Sequence, residues 1–139
     1  MSIVQTQTTS FKKELYQAIH DMSTDTIKIA LYTADASLNA DTTVYSSTNE
    51  VVASGYAAGG NTLTGVTINS EDYTAYVNFA NTSWTAALTA RCALIYNASK
   101  ANRSVAVLDF GSDKSSLTTF LITMPTNTST TALIRSSNT

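Results

Sequence analysis

The chain has 139 residues, 43% of them apolar and only 13% charged, with a net charge of −2. This length suits one domain with a real core. The eight scattered basic residues exclude a phosphate-neutralising surface, so no nucleic-acid partner is expected. No window is long and apolar enough to span a bilayer, so no membrane partner is expected either. The opening residues lack the basic and apolar regions of a secretion signal. A single cysteine, Cys92, leaves no internal disulfide and suits folding in a reducing cytoplasm.

In chain order, residues 1–9 are polar and read as a flexible or docking arm. A helix is predicted over residues 10–22, with Ser10 as N-cap and Phe11, Leu15, Ala18, Ile19 and Met22 forming one apolar stripe. Residues 26–33 read as a strand with Ile27, Ile29 and Leu31 on one face and Lys28, Ala30 and Tyr32 on the other. Residues 34–42 form a polar loop, residues 43–52 a weak strand or irregular segment, and residues 55–60 a glycine-rich loop. Strands are predicted over 63–68 and over 73–80, the latter with Tyr73, Ala75, Val77 and Phe79 on one side.

The most informative stretch is Ala90 to Ser116. Residues 88–96 alternate Leu88, Ala90, Cys92, Leu94 and Tyr96 against Thr89, Arg91, Ala93 and Ile95. Residues 98–103 form a short connection, and 104–110 are the partner strand, ended by a Gly-Ser-Asp-Lys turn at 111–114. Further strands are expected at 117–124 and 131–135. The sum is a single-domain, mainly β chain over 10–139. It has about seven antiparallel strands in a sandwich or barrel, with one N-terminal helix.

Residues able to carry chemistry are few and isolated. His20, the only histidine, has no Cys or His at ligand spacing and sits where a helix end favours a cation. Cys92 lies among apolar strand residues and reads as a small hydrophobe. The 55–60 loop lacks the Gly-Lys-Ser/Thr ending of a phosphate loop. Of the carboxylates Asp109, Asp113, Glu71 and Asp72, the last three fall at turn positions, and the four make no calcium loop. No catalytic residue, metal or cofactor is therefore expected, and the chain does not read as an enzyme. The Asn-x-Ser triplets at 81, 97, 102 and 127 carry no weight in so Asn- and Ser-rich a chain. Most aromatic residues occupy alternating strand positions. Tyr16, Tyr45 and Tyr56 fall in less regular segments and are the candidate interface residues, because Tyr is enriched at interfaces. A Thr-, Ser- and Asn-rich surface of low charge suits dense packing of many copies, where like charges would repel.

Five segments, Ser10-Phe-Lys-Lys-Glu-Leu15, Ile27 to Thr33, Thr48 to Gly60, Ala93-Leu-Ile-Tyr-Asn97 and Ala106 to Asp113, resemble small structural proteins of tailed bacteriophages. The resemblance covers most of the chain and transfers no catalytic residues. It implies a virion component assembled in the bacterial host cytoplasm. Foremost is a capsid decoration or cement protein, acting as a dimer or trimer on the major capsid protein. A tail, neck or fibre-associated component is the alternative. A β-sandwich with exposed tyrosines also fits a carbohydrate-binding module for host attachment.

Overall fold

The computed structural model describes residues 4–137. In chain order the elements are β1 (Val4–Gln7), α1 (Thr9–Tyr16), β2 (Ile27–Tyr32), β3 (Asn61–Thr62), β4 (Thr67–Glu71), β5 (Thr74–Asn78), β6 (Thr82–Trp84), β7 (Leu88–Asn97), β8 (Arg103–Ser116), β9 (Phe120–Ile122) and β10 (Ile134–Ser136). Three antiparallel sheets result, ordered β1-β8-β7-β2-β3, β10-β5-β4 and β6-β9. Among the described residues they form a single-domain β-sandwich with one helix, and no sheet closes into a barrel.

The large sheet owes its place to its sequence. β2 is Ile-Lys-Ile-Ala-Leu-Tyr, almost continuously apolar, as befits a strand covered on both faces. Ile27, Ile29 and Leu31 join Ile95, Leu108, Phe79, Trp84, Phe120, Ile122 and Leu133 in the main core. Ala30 and Tyr32 join Cys92, Leu94, Tyr96 and Val107 in a second cluster, covered by Ala36, Leu38 and Tyr45. The polar loop after β2 is thus the lid over the sheet's second face. Each Ile, Leu or Phe fully buried this way stabilises the fold by roughly 1.5–3 kcal/mol.

The β7–β8 hairpin exists, but two irregularities reshape it. The Gly-Ser-Asp-Lys stretch does not end the strand; β8 runs on to Ser116. Ala90 pairs with Lys114 and Cys92 with Asp109, so Arg91 stands opposite the segment Phe110 to Asp113. Asp109 starts this bulge by accepting the Gly111 N–H at 2.8 Å, and Gly111 takes a φ of +80°. The bulge also inverts the alternation expected of β7. Leu88 and Ala90 face the main core with Ala93 and Ile95, whereas Cys92, Leu94 and Tyr96 face the lid.

Helix α1 is shorter than the 10–22 stripe predicts. Thr8, not Ser10, is the N-cap; its Oγ1 accepts the Phe11 N–H at 3.3 Å. The helix stops because Ala18 adopts φ +57°, with Ile19 N–H bonding to Glu14 O and Ala18 N–H to Leu15 O. That paired closure satisfies the last carbonyls and turns the chain away. Phe11 and Met22 are still buried together in the core.

Within the expected flexible or docking arm, residues 4–8 lie along β8 and Thr9 begins α1. Val4 to Gln7 pair with Asp109 to Ala106 of β8, and Thr8 is fully buried, with its N–H on Val105 O. The β8 edge has backbone groups to satisfy, and alternating Val-Gln-Thr-Gln supplies a strand to satisfy them. Residues 1–3 of that arm lie outside the described residues.

On β5 the buried positions are Thr74, Tyr76 and Asn78, while Ala75 is exposed. Tyr73 is not on the strand face: with Asp72 it forms the two-residue turn, both at positive φ, and is 90% exposed.

Candidate functional site

The structure scatters the three candidate interface tyrosines. Tyr16 ends α1 and is 94% exposed. Tyr45 is half-buried and stacks on Tyr96 at a ring separation of 4.6 Å. Tyr56 is buried and belongs to the main core beside Trp84. The glycine loop places it there: Gly60 at φ +76° lets the backbone lie against Ile29, where any Cβ would fall 1.8 Å from the carbonyl oxygen. Tyr56 is therefore a core residue and not a surface one.

Tyr45 and Tyr56 do meet through one acidic group that sequence reading passed over. Glu50 is a buried carboxylate. Tyr45 Oη donates to its Oε1 at 2.6 Å, Tyr56 Oη to its Oε2 at 2.6 Å, and Gly59 N–H to Oε2 at 2.8 Å. Tyr56 Oη in turn accepts the Leu31 N–H, and Tyr96 Oη donates to Gly59 O. Burial, reinforced by the neighbouring Glu50 charge, raises the pKa of Tyr32, Tyr45, Tyr56 and Tyr96. Tyr32 Oη donates to Ser46 O at 2.7 Å, so the four hydroxyls together fasten the lid and the glycine loop to the sheet. Its only signal in the sequence was Glu50 standing alone before Val51-Val52.

The second polar cluster surrounds His20. Its Nε2 lies 2.8 Å from Glu14 Oε1, and its Nδ1 lies 3.0 Å from Asn97 Nδ2. Arg103 Nη1 approaches the other Glu14 oxygen at 3.6 Å. Asn97 also donates to Asp25 Oδ2 at 2.7 Å, and Lys100 Nζ reaches both Asp25 oxygens. Burial pushes the Asp25 carboxyl upward, but bonds from Asn97, Asp21 N–H and Lys100 outweigh it and hold the pKa at about 2. The pair resembles a base with its orienting carboxylate, yet both ring nitrogens are engaged and the ring is buried. It ties the end of α1 to β7.

Cys92 is buried too, its thiol pushed up to about 11 by burial and by Asp109. Among the described residues no three His, Cys, Asp or Glu side chains gather to hold a metal, and no helix is long and apolar enough to cross a membrane.

An extended concave surface lies where β1, α1 and β10 meet. Two adjoining recesses of about 530 and 620 Å³ share Gln5 and Arg135. The first is floored by Met124 and Pro125, and the second is walled by Lys12, Leu15 and Tyr16. Gln5 Nε2 bonds to the carbonyls of Thr131 and Ala132, and Gln7 Nε2 to Arg135 O at 2.6 Å. Arg135 donates to Thr130 O. The groove offers amides, hydroxyls and one guanidinium, a set that hydrogen-bonds polar partners. Among the described residues two buried polar atoms, Asn78 Oδ1 and Trp84 Nε1, lack a partner, and neither residue lines these recesses.

Opposite in character is the β4–β5 hairpin. All five residues of β4 are exposed, Ile68 is 51% exposed, and the turn residue Tyr73 projects freely. Comparison with protein-family models, with curated proteins and with solved structures found no match for this chain.

Proposed function

We propose that the protein is a structural component of a tailed-phage virion, foremost a capsid decoration or cement protein. It binds the outer face of the assembled shell in multiple copies and has no catalytic role. The observation that carries this reading is how the molecule divides its polar groups. Its histidine, its buried glutamate and the tyrosine hydroxyls around it are consumed in internal bonds. A fully exposed strand edge, by contrast, is turned outward. The sequence resemblance to phage structural proteins and the uncharged Thr-, Ser- and Asn-rich surface agree with it. Binding only the assembled lattice would stabilise that lattice by mass action, and several copies together would supply avidity.

The test is copy number in purified particles. A number on the scale of the shell supports the decoration role. A number on the scale of a tail ring moves the protein to the tail, neck or fibre. Absence from particles ends the proposal. Deletion of residues 1–9 would not isolate a docking arm, because it removes β1 and the Thr8 cap as well.

The groove supports a second reading, a carbohydrate-binding attachment module. Tyr16 sets an aromatic face near the Arg135 guanidinium, whose fork has more N–H groups than its bond to Thr130 O uses, while the Gln5 and Gln7 amide nitrogens are already bonded to backbone carbonyls. Glycan-array binding lost in Tyr16→Ala would favour it; an array without signal would remove it.

A further inference from the structure

We propose that β4 is a self-association edge, on which a second copy of this chain pairs antiparallel about a two-fold axis at Asn69. The outer β4 edge follows from the hairpin. Glu71 pairs with Thr74 across the two-residue turn, which makes that pair the hydrogen-bonded one. By alternation, Asn69 and Thr67 also bond toward β5, so Ile68 and Ser70 turn their N–H and C=O groups outward.

Other edges of the main sheets are engaged. The β1 flank is bound through Gln5 and Gln7 to the 131–135 segment. β3 is only two residues long and is tied to β6 through Asn61. β4 alone among the described strands is exposed at every residue. Free edges in monomers are guarded by Lys, Pro, a bulge or an inward charge. Thr67-Ile-Asn-Ser-Glu71 has none of these within the strand and one charge at its end.

The edge complements itself in one register. With Asn69 opposite Asn69 of the second copy, Ile68 faces Ser70 and Ser70 faces Ile68, so every outward group finds a partner. Thr67 then faces Glu71, and no like charges oppose each other. Sliding by two residues leaves a single pair on the axis and sets the rest against Val66 or Asp72, outside the strand. The same register brings the two exposed Ile68 side chains to diagonal positions beside Val77 of each copy, covering apolar surface. The product is a continuous six-stranded sheet, β10-β5-β4 doubled.

The inference deepens the proposed multi-copy role and rests on it for its purpose. Its test uses the isolated full chain, so failure here and failure in particles are read separately. Sedimentation equilibrium should find a dimer. Asn69 is exposed, so Asn69→Asp and Asn69→Lys leave the core intact. Each places like charges on the axis and should weaken dimerisation roughly fivefold or more, more at low salt. Mixing the two variants should restore a heterodimer, because Asp then faces Lys. A monomeric wild-type chain, a dimer indifferent to both substitutions, or a mixture no tighter than either variant alone would each overturn the proposal.

Discussion

Asn97 decides which nitrogen of His20 carries the proton. The orientation of its amide is set by two other bonds, Oδ1 accepting the Ser99 N–H at 3.0 Å and Nδ2 donating to Asp25 at 2.7 Å. The remaining Nδ2 hydrogen points at His20 Nδ1, which must therefore accept, leaving Nε2–H to donate to Glu14. One fully buried amide thus holds the end of α1, the 21–25 turn and β7 together.

Asn97→Ala strips this node from three elements. It leaves His20 Nδ1 buried without a donor and Asp25 without its shortest contact. Chemical denaturation should show a loss of about 2–3 kcal/mol. Nitrogen NMR of the wild-type ring should show the proton on Nε2. A ring protonated on Nδ1 alone would contradict the geometry.

Asp25 gives the acid limb of stability. Its folded pKa of about 2 lies below the usual 3.8, so in acid the unfolded chain binds a proton that the folded chain refuses. The contribution is complete above about pH 4 and fades as pH falls toward 2. After screening it is on the order of 1 kcal/mol. Asp25→Asn should flatten the stability profile of the wild type between those values, read from urea midpoints. A profile unchanged by the substitution would show that the contacts carry no charge dependence.

The tyrosines set the alkaline limb. Burial, with Glu50 alongside, raises the folded pKa of Tyr32 and Tyr56 above the usual 10.0. Above pH 10 the unfolded chain therefore loses protons that the folded chain keeps, and stability falls as pH rises. Absorbance titration should show these phenols ionising only as the fold is lost. Tyr56→Phe leaves the Leu31 N–H and one Glu50 oxygen short of a bond and should cost about 2 kcal/mol at neutral pH. Phenolate absorbance from all seven tyrosines near pH 10 with the fold intact would refute the burial argument.

Strand chemistry was legible in the sequence where periodicity was local. The two faces of β2 and the β7–β8 hairpin follow from side-chain alternation alone. Three features escaped for physical reasons. The inversion of faces along β7 depends on a bulge whose cause, the Asp109 carboxylate on Gly111 N–H, lies on the other strand. The early end of α1 depends on Ala18 entering a left-handed conformation that residue type does not announce. The Glu50 cluster draws together Tyr45, Tyr56 and Gly59, which share no period and meet only after the sheet and its lid have packed. Tyr56 accordingly reads as surface in the chain and as core in the fold.

Two glycines at similar positive φ separate conformational strain from steric exclusion. At Gly111, φ +80°, a Cβ would meet nothing within 4 Å. Gly111→Ala should therefore cost only the backbone preference, about 1 kcal/mol. At Gly60, φ +76°, the same atom would stand 1.8 Å from Ile29 O and 2.8 Å from Ala30 Cα. Relief requires the glycine loop to lift from β2, which pulls Gly59 N–H and Tyr56 Oη from Glu50 and opens the Tyr96 contact to Gly59 O. Gly60→Ala should thus lose that network together with the strain, several kcal/mol in all. Thermal melts of the two variants measure the difference. Equal melting points would mean that the loop yields without disturbing Glu50, and that the carboxylate is not the clasp its bonds describe.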